Sequence, residues 1–558
     1  MWQGLWRSRA GSRRAFSTTA RKILLELTDM TVPHTWYPYA RTMRRRIILY
    51  VGPTNSGKTF TALQSLQRAS SGIYCGPLRL LAWEVAEKLN SHNVPCSLLT
   101  GQERNEIEGA QHKAMTVEMA DITREYECAV IDEIQMIGCS KRGYAFTRAL
   151  FGLAAKEIHL CGDPCVVTLI QNLLERTQDT LEVRCYTRLS PLVPLKEPLR
   201  DIRRIRGGDC IVSFSRDEIH TYKRDIEKLH PAINCSVVYG SLPPETRTKQ
   251  AERFNKADED FSILVASDAI GMGLNLNIQR IIFTKLDKFD GIARCYLSVM
   301  QVKQIAGRAG RFKSKYPVGE VTCLKGSDIA HLHRALATPT PAVVAAGVFP
   351  TFDQIGLYCT FYPNFPFSAI LEKFIATVTL SSMFFLCDSS NLLAIARMLD
   401  DIPLPMDSRF LFCTCPVDKD NRIIMGALLE FARNYAVNRN VPLKRLLTPA
   451  TMRVPSTQKD LAELESLHKV LDMYIWLSYR LEDAFVDRES AITQKHLCST
   501  LIEQALNYWN TELSSRKAAK RELIQNLIEE GRLPEDETPG AQRASMYNLN
   551  MDREVRIS

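Results

Sequence analysis

Residues 52–59 read Gly-Pro-Thr-Asn-Ser-Gly-Lys-Thr, which fits G-x-x-x-x-G-K-[ST] at every fixed position. The octapeptide follows an apolar run, Ile47-Ile48-Leu49-Tyr50-Val51, that reads as a buried strand. It precedes a helix-like stretch from Thr59 to Arg68. Strand, glycine-bounded loop and helix are the context in which this pattern makes a phosphate cradle. Backbone N–H groups of the loop (Gly52, Pro53, Thr54, Asn55, Ser56 and Gly57, proline contributing only its carbonyl) and the N-terminus of the helix then face the phosphates. Lys58 is expected to reach the β and γ phosphates and Thr59 to hold Mg²⁺.

Around that loop the chain alternates apolar runs with helical stretches. Strands are expected at Ile47–Val51, Gly72–Cys75, Cys96–Leu99, Cys128–Ile131 and Glu157–Cys161, the βαβ rhythm of a parallel doubly wound sheet. The run Cys128-Ala129-Val130-Ile131 ends in Asp132-Glu133-Ile134-Gln135. A strand ending in Asp-Glu sets two carboxylates at the carboxyl edge of the sheet, where ligands bind. Asp132 is expected to bind Mg²⁺ and Glu133 to polarise the attacking water.

The rhythm then restarts at Asp209–Phe214, Cys235–Tyr239, Ser262–Ala266 and Arg280–Phe283, with no second G-K-T motif. This half ends in Gln304-Ile305-Ala306-Gly307-Arg308-Ala309-Gly310-Arg311. Two arginines three apart would share one face of a helix, and guanidinium groups stabilise charge developing on a γ-phosphate. A solvated basic helix is the alternative reading. Because the second sheet lacks a phosphate loop of its own, Arg308 and Arg311 are expected to complete the first sheet's site across a cleft.

Bulk properties narrow the class. The 558 residues exceed what one core fills, and roughly three or four domains are expected. A net charge of +9 suits a polyanionic partner without establishing one. No apolar run reaches the ~18 residues of a bilayer-spanning helix, so membrane insertion is not expected. Sixteen cysteines form no C-x-x-C framework or zinc spacing, and scattered thiols imply a reducing compartment. Residues 1–22 carry Arg7, Arg9, Arg13, Arg14, Arg21 and Lys22 among apolar and hydroxyl residues, ahead of the first acid, Glu26. That is a transit-peptide composition addressed to the mitochondrial matrix, and Arg14-Ala15-Phe16-Ser17 resembles a matrix-protease site. A basic arm that touches nucleic acid is the other reading.

Taken in order, these blocks resemble the second helicase superfamily. Pro77-Leu78-Arg79-Leu80-Leu81-Ala82, Thr100-Gly101-Gln102-Glu103 and Thr116-Val117-Glu118-Met119 look like its strand-contacting motifs. Ile211-Val212-Ser213-Phe214-Ser215 and Ala266-Ser267-Asp268-Ala269-Ile270-Gly271-Met272-Gly273-Leu274-Asn275 look like two more. Together with Glu465 to Arg480, they narrow the match to the mitochondrial RNA-degradosome helicase family, over roughly residues 35 to 490. The resemblance implies two tandem RecA-like parallel-sheet α/β domains followed by a mainly helical C-terminal domain that completes a ring around one strand. It implies ATP and Mg²⁺ as cofactors, and 3′-to-5′ unwinding of RNA, single-stranded or as tailed duplex, with DNA also open. It further implies an exoribonuclease partner and leaves association with the nucleoid open. Lys58, Asp132, Glu133, Gln304, Arg308 and Arg311 would be catalytic, and Gly271 would join the loop in binding ATP. Arg79, Thr100, Gly101, Thr116, Ser213, Ser215 and Ser267 would contact nucleic acid, although each alone reads equally as a cap or turn residue. Two departures stand out: only a short stretch precedes the first sheet, and Cys161-Gly162-Asp163-Pro164 replaces the Ser-Ala-Thr of other helicases. A mitochondrial DNA helicase and a nucleic-acid-binding scaffold with little turnover are the competing readings.

The expected division is a transit peptide (1–22), a short segment (23–45), a first RecA-like domain (46–195), a second (196–345), a helical domain (346–515) and a basic helix with a disordered tail (516–558). Trp36, Tyr37 and Tyr39 are candidates for stacking on adenine or for packing. Leu464, Leu467, Leu471 and Tyr474 repeat at helical spacing and predict a buried helix face. Arg516-Lys517-Ala518-Ala519-Lys520-Arg521 reads as a solvated face or as a docking element.

Overall fold

The computed structural model describes residues 13–230, 234–256, 262–289, 293–443, 446 and 453–508. Most of the expected transit peptide, the basic run at 516–521, the apolar stretch Leu523–Ile528 and the tail lie outside the described residues.

Eight strands build the first sheet: β1 (Arg46–Val51), β2 (Gly72–Gly76), β3 (Cys96–Leu99), β4 (Arg104–Asn105), β5 (His112–Thr116), β6 (Glu125–Ile131), β7 (Ala154–Gly162) and β8 (Thr180–Cys185). Their spatial order is β4-β3-β5-β2-β6-β7-β1-β8, parallel throughout except for β4 against β3. β1 shows why the run at 47–51 reads as it does. Ile47, Leu49 and Val51 enter the core on one face, and Ile48 and Tyr50 enter the core on the other. A strand buried on both sides has no polar alternation to display. β5 and β8 were not legible: His-Lys-Ala-Met-Thr and Thr-Leu-Glu-Val-Arg-Cys mix charge into short segments, and β8 is a partly exposed edge strand.

The second sheet contains β9 (Leu192–Pro194), β10 (Asp209–Val212), β11 (Asn234–Val238), β12 (Ser262–Ala266) and β13 (Arg280–Phe283). A hairpin of β14 (Asp287–Phe289) and β15 (Arg294–Tyr296) follows, and β16 (Gly319–Cys323) completes the sheet. The order is β11-β12-β10-β13-β16-β9, all parallel. Residues 186–191 pass from the last strand of one sheet to the first of the other.

Beyond residue 345 helices dominate, with one small parallel pair, Ala346–Val348 and Phe384–Leu386. Helices run over Phe367–Thr377, Ser390–Leu399, Arg422–Asn438, Gln458–Ser478 and Arg488–Tyr508. Within Gln458–Ser478 the expected face is buried at Leu464, Leu471 and Tyr474 and partly buried at Leu467. Gln458–Ser478 opens on a capping box between Thr457 and Asp460. Its second half, Val470 to Ser478, is buried without a break, so it runs through the centre of the molecule. No described helix is long and apolar enough to cross a membrane.

Candidate active site

Parallel pairing sets the phosphate loop at the carboxyl edge of β1. Gly52 must lack a side chain there: a Cβ would stand 2.5 Å from the Tyr186 carbonyl, where the chain leaves for the second sheet. Gly57 takes φ +83° and turns the loop into the helix Lys58–Arg68. Lys58 is almost buried, and its Nζ donates to the Pro53 carbonyl at 3.0 Å. Ser56 Oγ is buried with no hydrogen-bond partner among the described residues. An unpaired hydroxyl inside a loop of this shape fits an oxyanion as its missing partner.

Beside the loop, Thr59 Oγ1 donates to Asp132 Oδ1 at 3.1 Å and Tyr74 OH donates to Asp132 Oδ2 at 3.2 Å. Burial, then the neighbouring Glu133, pushes the Asp132 carboxyl up to about 6, against the pull of Lys58. A crowded carboxylate pair with a hydroxyl alongside is a donor set that fits a hard divalent cation. Glu133 sits at φ +55°, outside the regions an L-residue prefers. Gln135 Nε2 donates to its carboxylate, while Gln135 Oε1 accepts from the Asp163 N–H at 3.1 Å. The Cys161–Pro164 segment is thereby linked to Glu133 through one side chain, a role the sequence did not disclose for Gln135.

Arg308 and Arg311 come from the second sheet, but not from a helix. The helix Val299–Ala306 stops before them, and the chain turns with Gly310 at φ +67°. A helical continuation is blocked because Ala309 bridges to Ile278, and the Gly310 N–H donates to the Ile278 carbonyl at 2.8 Å. The expected shared helix face is therefore replaced by a tight turn. Arg308 Nε donates to the Gly271 carbonyl at 2.9 Å. Burial lowers the Arg308 pKa, while the charge of Glu133 across the cleft raises it. Loop residues Thr54 to Thr59, with Asp132, Glu133, Arg308 and Arg311, line a cleft of about 750 Å³ between the sheets. Gly52 is not among its lining residues, and Pro53 lines the cavity behind the loop. Its apolar walls include Phe60, Leu81, Leu274 and Phe312.

Other expected residues lie elsewhere. Gln304 lines a second cavity, of about 1090 Å³, behind the phosphate loop. Gly271 does not line the cleft; its carbonyl accepts from Arg308. Trp36, Tyr37 and Tyr39 are not at the cleft. Tyr39 OH donates to Glu125 at the start of β6, the amino edge of the sheet, and Tyr37 packs on Gly152. The chain enters β1 from that edge, so residues just before the strand end up opposite the loop that follows it.

The seven residues expected to grip nucleic acid cluster near the carboxyl edges of the two sheets, most with their polar groups engaged inside the protein. Arg79 pairs with Asp472 at 3.2 Å, Thr100 is held to Glu103, and Gly101 lies under the Trp476 ring. Thr116 is buried at the end of β5, and the Ser213 hydroxyl donates to Glu218. Ser215 caps the helix Arg216–Leu229 and Ser267 caps the turn Asp268–Gly271. The Gln458–Ser478 helix crosses this edge.

Family models match most of the fold in the same order. The DEXQ-box helicase domain of Suv3 matches residues 33–186 and the helicase conserved C-terminal domain residues 195–313. Suv3 C-terminal domain 1 matches residues 394–436, and the SUV3 C-terminal domain residues 461–507. The mitochondrial DExH-box ATP-dependent RNA helicase DExH16 of Arabidopsis thaliana is 54% identical, over 90% of this chain and 88% of its own. The mitochondrial ATP-dependent RNA helicase SUV3 of Oryza sativa is 56% identical, over 88% and 85%. This chain belongs to the SUV3 family of mitochondrial ATP-dependent RNA helicases. The human family member SUPV3L1 is 43% identical over 83% of this chain and 60% of its own length. The Gln135 bridge gives the Q of the SUV3 DEXQ box a physical role: it joins the carboxylate of Glu133 to the strand end beside it.

Proposed function

We propose that this chain is an ATP-driven RNA helicase of the mitochondrial matrix. In this reading it unwinds tailed RNA 3′-to-5′ and passes the freed strand to an exoribonuclease for decay and surveillance. The observation that carries it is the divided site: a phosphate loop and two carboxylates on one sheet, and Arg308 and Arg311 on another that has no phosphate loop. Lys58 releases Pro53 and binds the phosphates of ATP, Glu133 orients the attacking water, and Arg308 and Arg311 stabilise charge on the transferred group. Thr59 and Asp132 would hold Mg²⁺, which when bound neutralises charge on the phosphate oxygens. Gln304 acts from the second cavity on the closing interface. The two sheets move as the two halves of the clamp, and the helical segment beyond residue 345 bears on both. The crossing between them lies at residues 186–191, a few residues before the expected boundary at 195, because Leu192–Pro194 pairs into the second sheet. The strand runs between the carboxyl edges of the sheets and the Gln458–Ser478 helix, where Arg79, Thr100, Gly101, Thr116, Ser213, Ser215 and Ser267 cluster.

The test is RNA-stimulated ATP hydrolysis and strand displacement on RNA, DNA and hybrid duplexes with 3′ or 5′ tails. Wild type is expected to hydrolyse ATP in response to RNA and to displace 3′-tailed RNA, and Lys58→Ala to do neither. Preference for pure DNA duplexes would replace this reading with a mitochondrial DNA helicase. RNA binding without stimulated hydrolysis would make the chain a scaffold.

A further inference from the structure

Arg188 lies in the connection between the sheets, within residues 186–191, and is largely withdrawn from solvent. Burial alone lowers its pKa, to about 10, and no carboxylate pairs with it among the described residues. Its guanidinium is instead held by carbonyl oxygens and one hydroxyl. Nη1 donates to the Thr54 carbonyl and Thr54 Oγ1, both at 3.1 Å, and to the Gly307 carbonyl at 3.0 Å. Nη2 donates to Ala309 at 2.6 Å and Gly310 at 3.3 Å, and Nε to Ser190 at 2.7 Å. One side chain thus joins the phosphate loop to the carbonyls on either side of Arg308.

The surfaces it joins are in contact. A Cβ on Gly307 would stand 1.9 Å from Thr54 Oγ1, so a side chain at 307 would have to displace the Thr54 hydroxyl that Arg188 holds or lift the turn off the loop. Asn55 Nδ2 adds a bond to the Gly310 carbonyl at 3.2 Å, and the Leu189 N–H donates to the Asn55 carbonyl at 2.9 Å. Only the planar, forked donor set of arginine spans so many acceptors at once; a lysine ammonium presents a point charge. With no counter-ion among the described residues, the orientation of this partly buried guanidinium is set by the carbonyls and the hydroxyl it donates to.

We propose that Arg188 is a positioning residue for ATP hydrolysis: it seats the Gly307–Gly310 turn on the phosphate loop, and so sets where Arg308 and Arg311 meet the phosphates when the cleft closes. The connection between the sheets thereby reads cleft closure directly, without touching nucleotide. This rests on the helicase reading above.

The experiment uses the full chain with saturating single-stranded RNA and compares wild type, Arg188→Ala, Arg188→Lys and Gly307→Ala. Steady-state ATP hydrolysis gives kcat and KM, a fluorescent ATP analogue gives nucleotide affinity, and thermal melting reports folding. Arg188→Ala is expected to lower kcat by about tenfold to a hundredfold, the scale of a misplaced catalytic group, with nucleotide affinity within about threefold of wild type. Arg188→Lys is expected to fail to restore kcat, and Gly307→Ala to give the same split by a route that leaves Arg188 intact. Wild-type kcat in Arg188→Ala overturns the proposal. A rise in KM that accounts for the whole loss overturns it too, since Arg188 would then bind nucleotide. So does full recovery in Arg188→Lys, since charge alone would then suffice. If Arg188→Ala does not fold, Gly307→Ala decides: unchanged kcat overturns the proposal. Absence of RNA-stimulated hydrolysis in wild type sinks the helicase reading itself, an outcome visible before any variant is compared.

Discussion

Gln135 carries two hydrogen bonds that no other residue of the site duplicates, one to the Glu133 carboxylate and one from the Asp163 N–H. Glu133 occupies a left-handed backbone conformation, so its side-chain direction depends on such support. Gln135→Ala is expected to lower kcat for ATP by about tenfold or more while leaving nucleotide affinity near wild type. Glu133→Gln is expected to do more, about a hundredfold, because it removes the carboxylate proposed to orient the attacking water. Parallel kcat and KM measurements separate these outcomes from simple loss of binding.

At the scale of elements, the segment before β1 is locked to the first sheet by a buried ion pair. Arg45 is fully buried, with Nε and Nη2 on the two oxygens of Asp179 at 2.8 and 2.6 Å and Nη1 on the Leu150 and Leu153 carbonyls. Burial pushes the Asp179 carboxyl up, but the hydrogen bonds and charge of Arg45, with Thr177 and Arg41, outweigh it and hold the pKa near about 2. A carboxylate whose folded pKa is depressed contributes stability that is complete above its ordinary value and disappears as pH falls through the folded one. That contribution is about 2 kcal/mol, lost between roughly pH 4 and pH 2. Asp179→Asn leaves Arg45 buried without its counter-ion and is expected to cost about 3 kcal/mol or more at neutral pH. It should also flatten the acid limb of the stability profile, as measured by denaturant unfolding at several pH values.

Across the whole molecule, the Gln458–Ser478 helix ties the two sheets to each other. Glu465 accepts from Arg216 at 3.1 Å and from Tyr239 and Ser241 at 2.8 Å, all on the second sheet's side. Two turns on, Asp472 meets Arg79 from the first sheet's side at 3.2 Å and Lys495 at 3.1 Å. Lys495 in turn reaches Glu245, from the second sheet's side, at 3.3 Å. Burial pushes the Asp472 carboxyl up, yet the charges of Arg79, Lys495 and His468 hold it well below the usual carboxylate range. Asp472→Ala would strand Arg79 and Lys495 and is expected to cost about 3 kcal/mol. Because the helix is the shared abutment of both sheets, the same variant is expected to consume more ATP per duplex opened. The check is hydrolysis and displacement measured in one reaction.

The local patterns of the chain determined the fold class and the chemistry of the nucleotide. Gly52 to Thr59, Asp132-Glu133 and the arginines at 308 and 311 are legible because each lies within one short segment whose strand or glycine spacing can be read directly. Segments with weak local signal were lost, as β5 and β8 show. Tertiary structure alone decided what meets what. It placed Trp36, Tyr37 and Tyr39 at the edge opposite the cleft, ended the helix before Arg308, and set Asp472 against Arg79. It also left Arg188, an unremarked arginine between two sheets, as the link between halves of a site divided across 250 or so residues of chain. Contacts between distant segments depend on how layers stack and where strands end, and no periodicity or spacing along the chain encodes that.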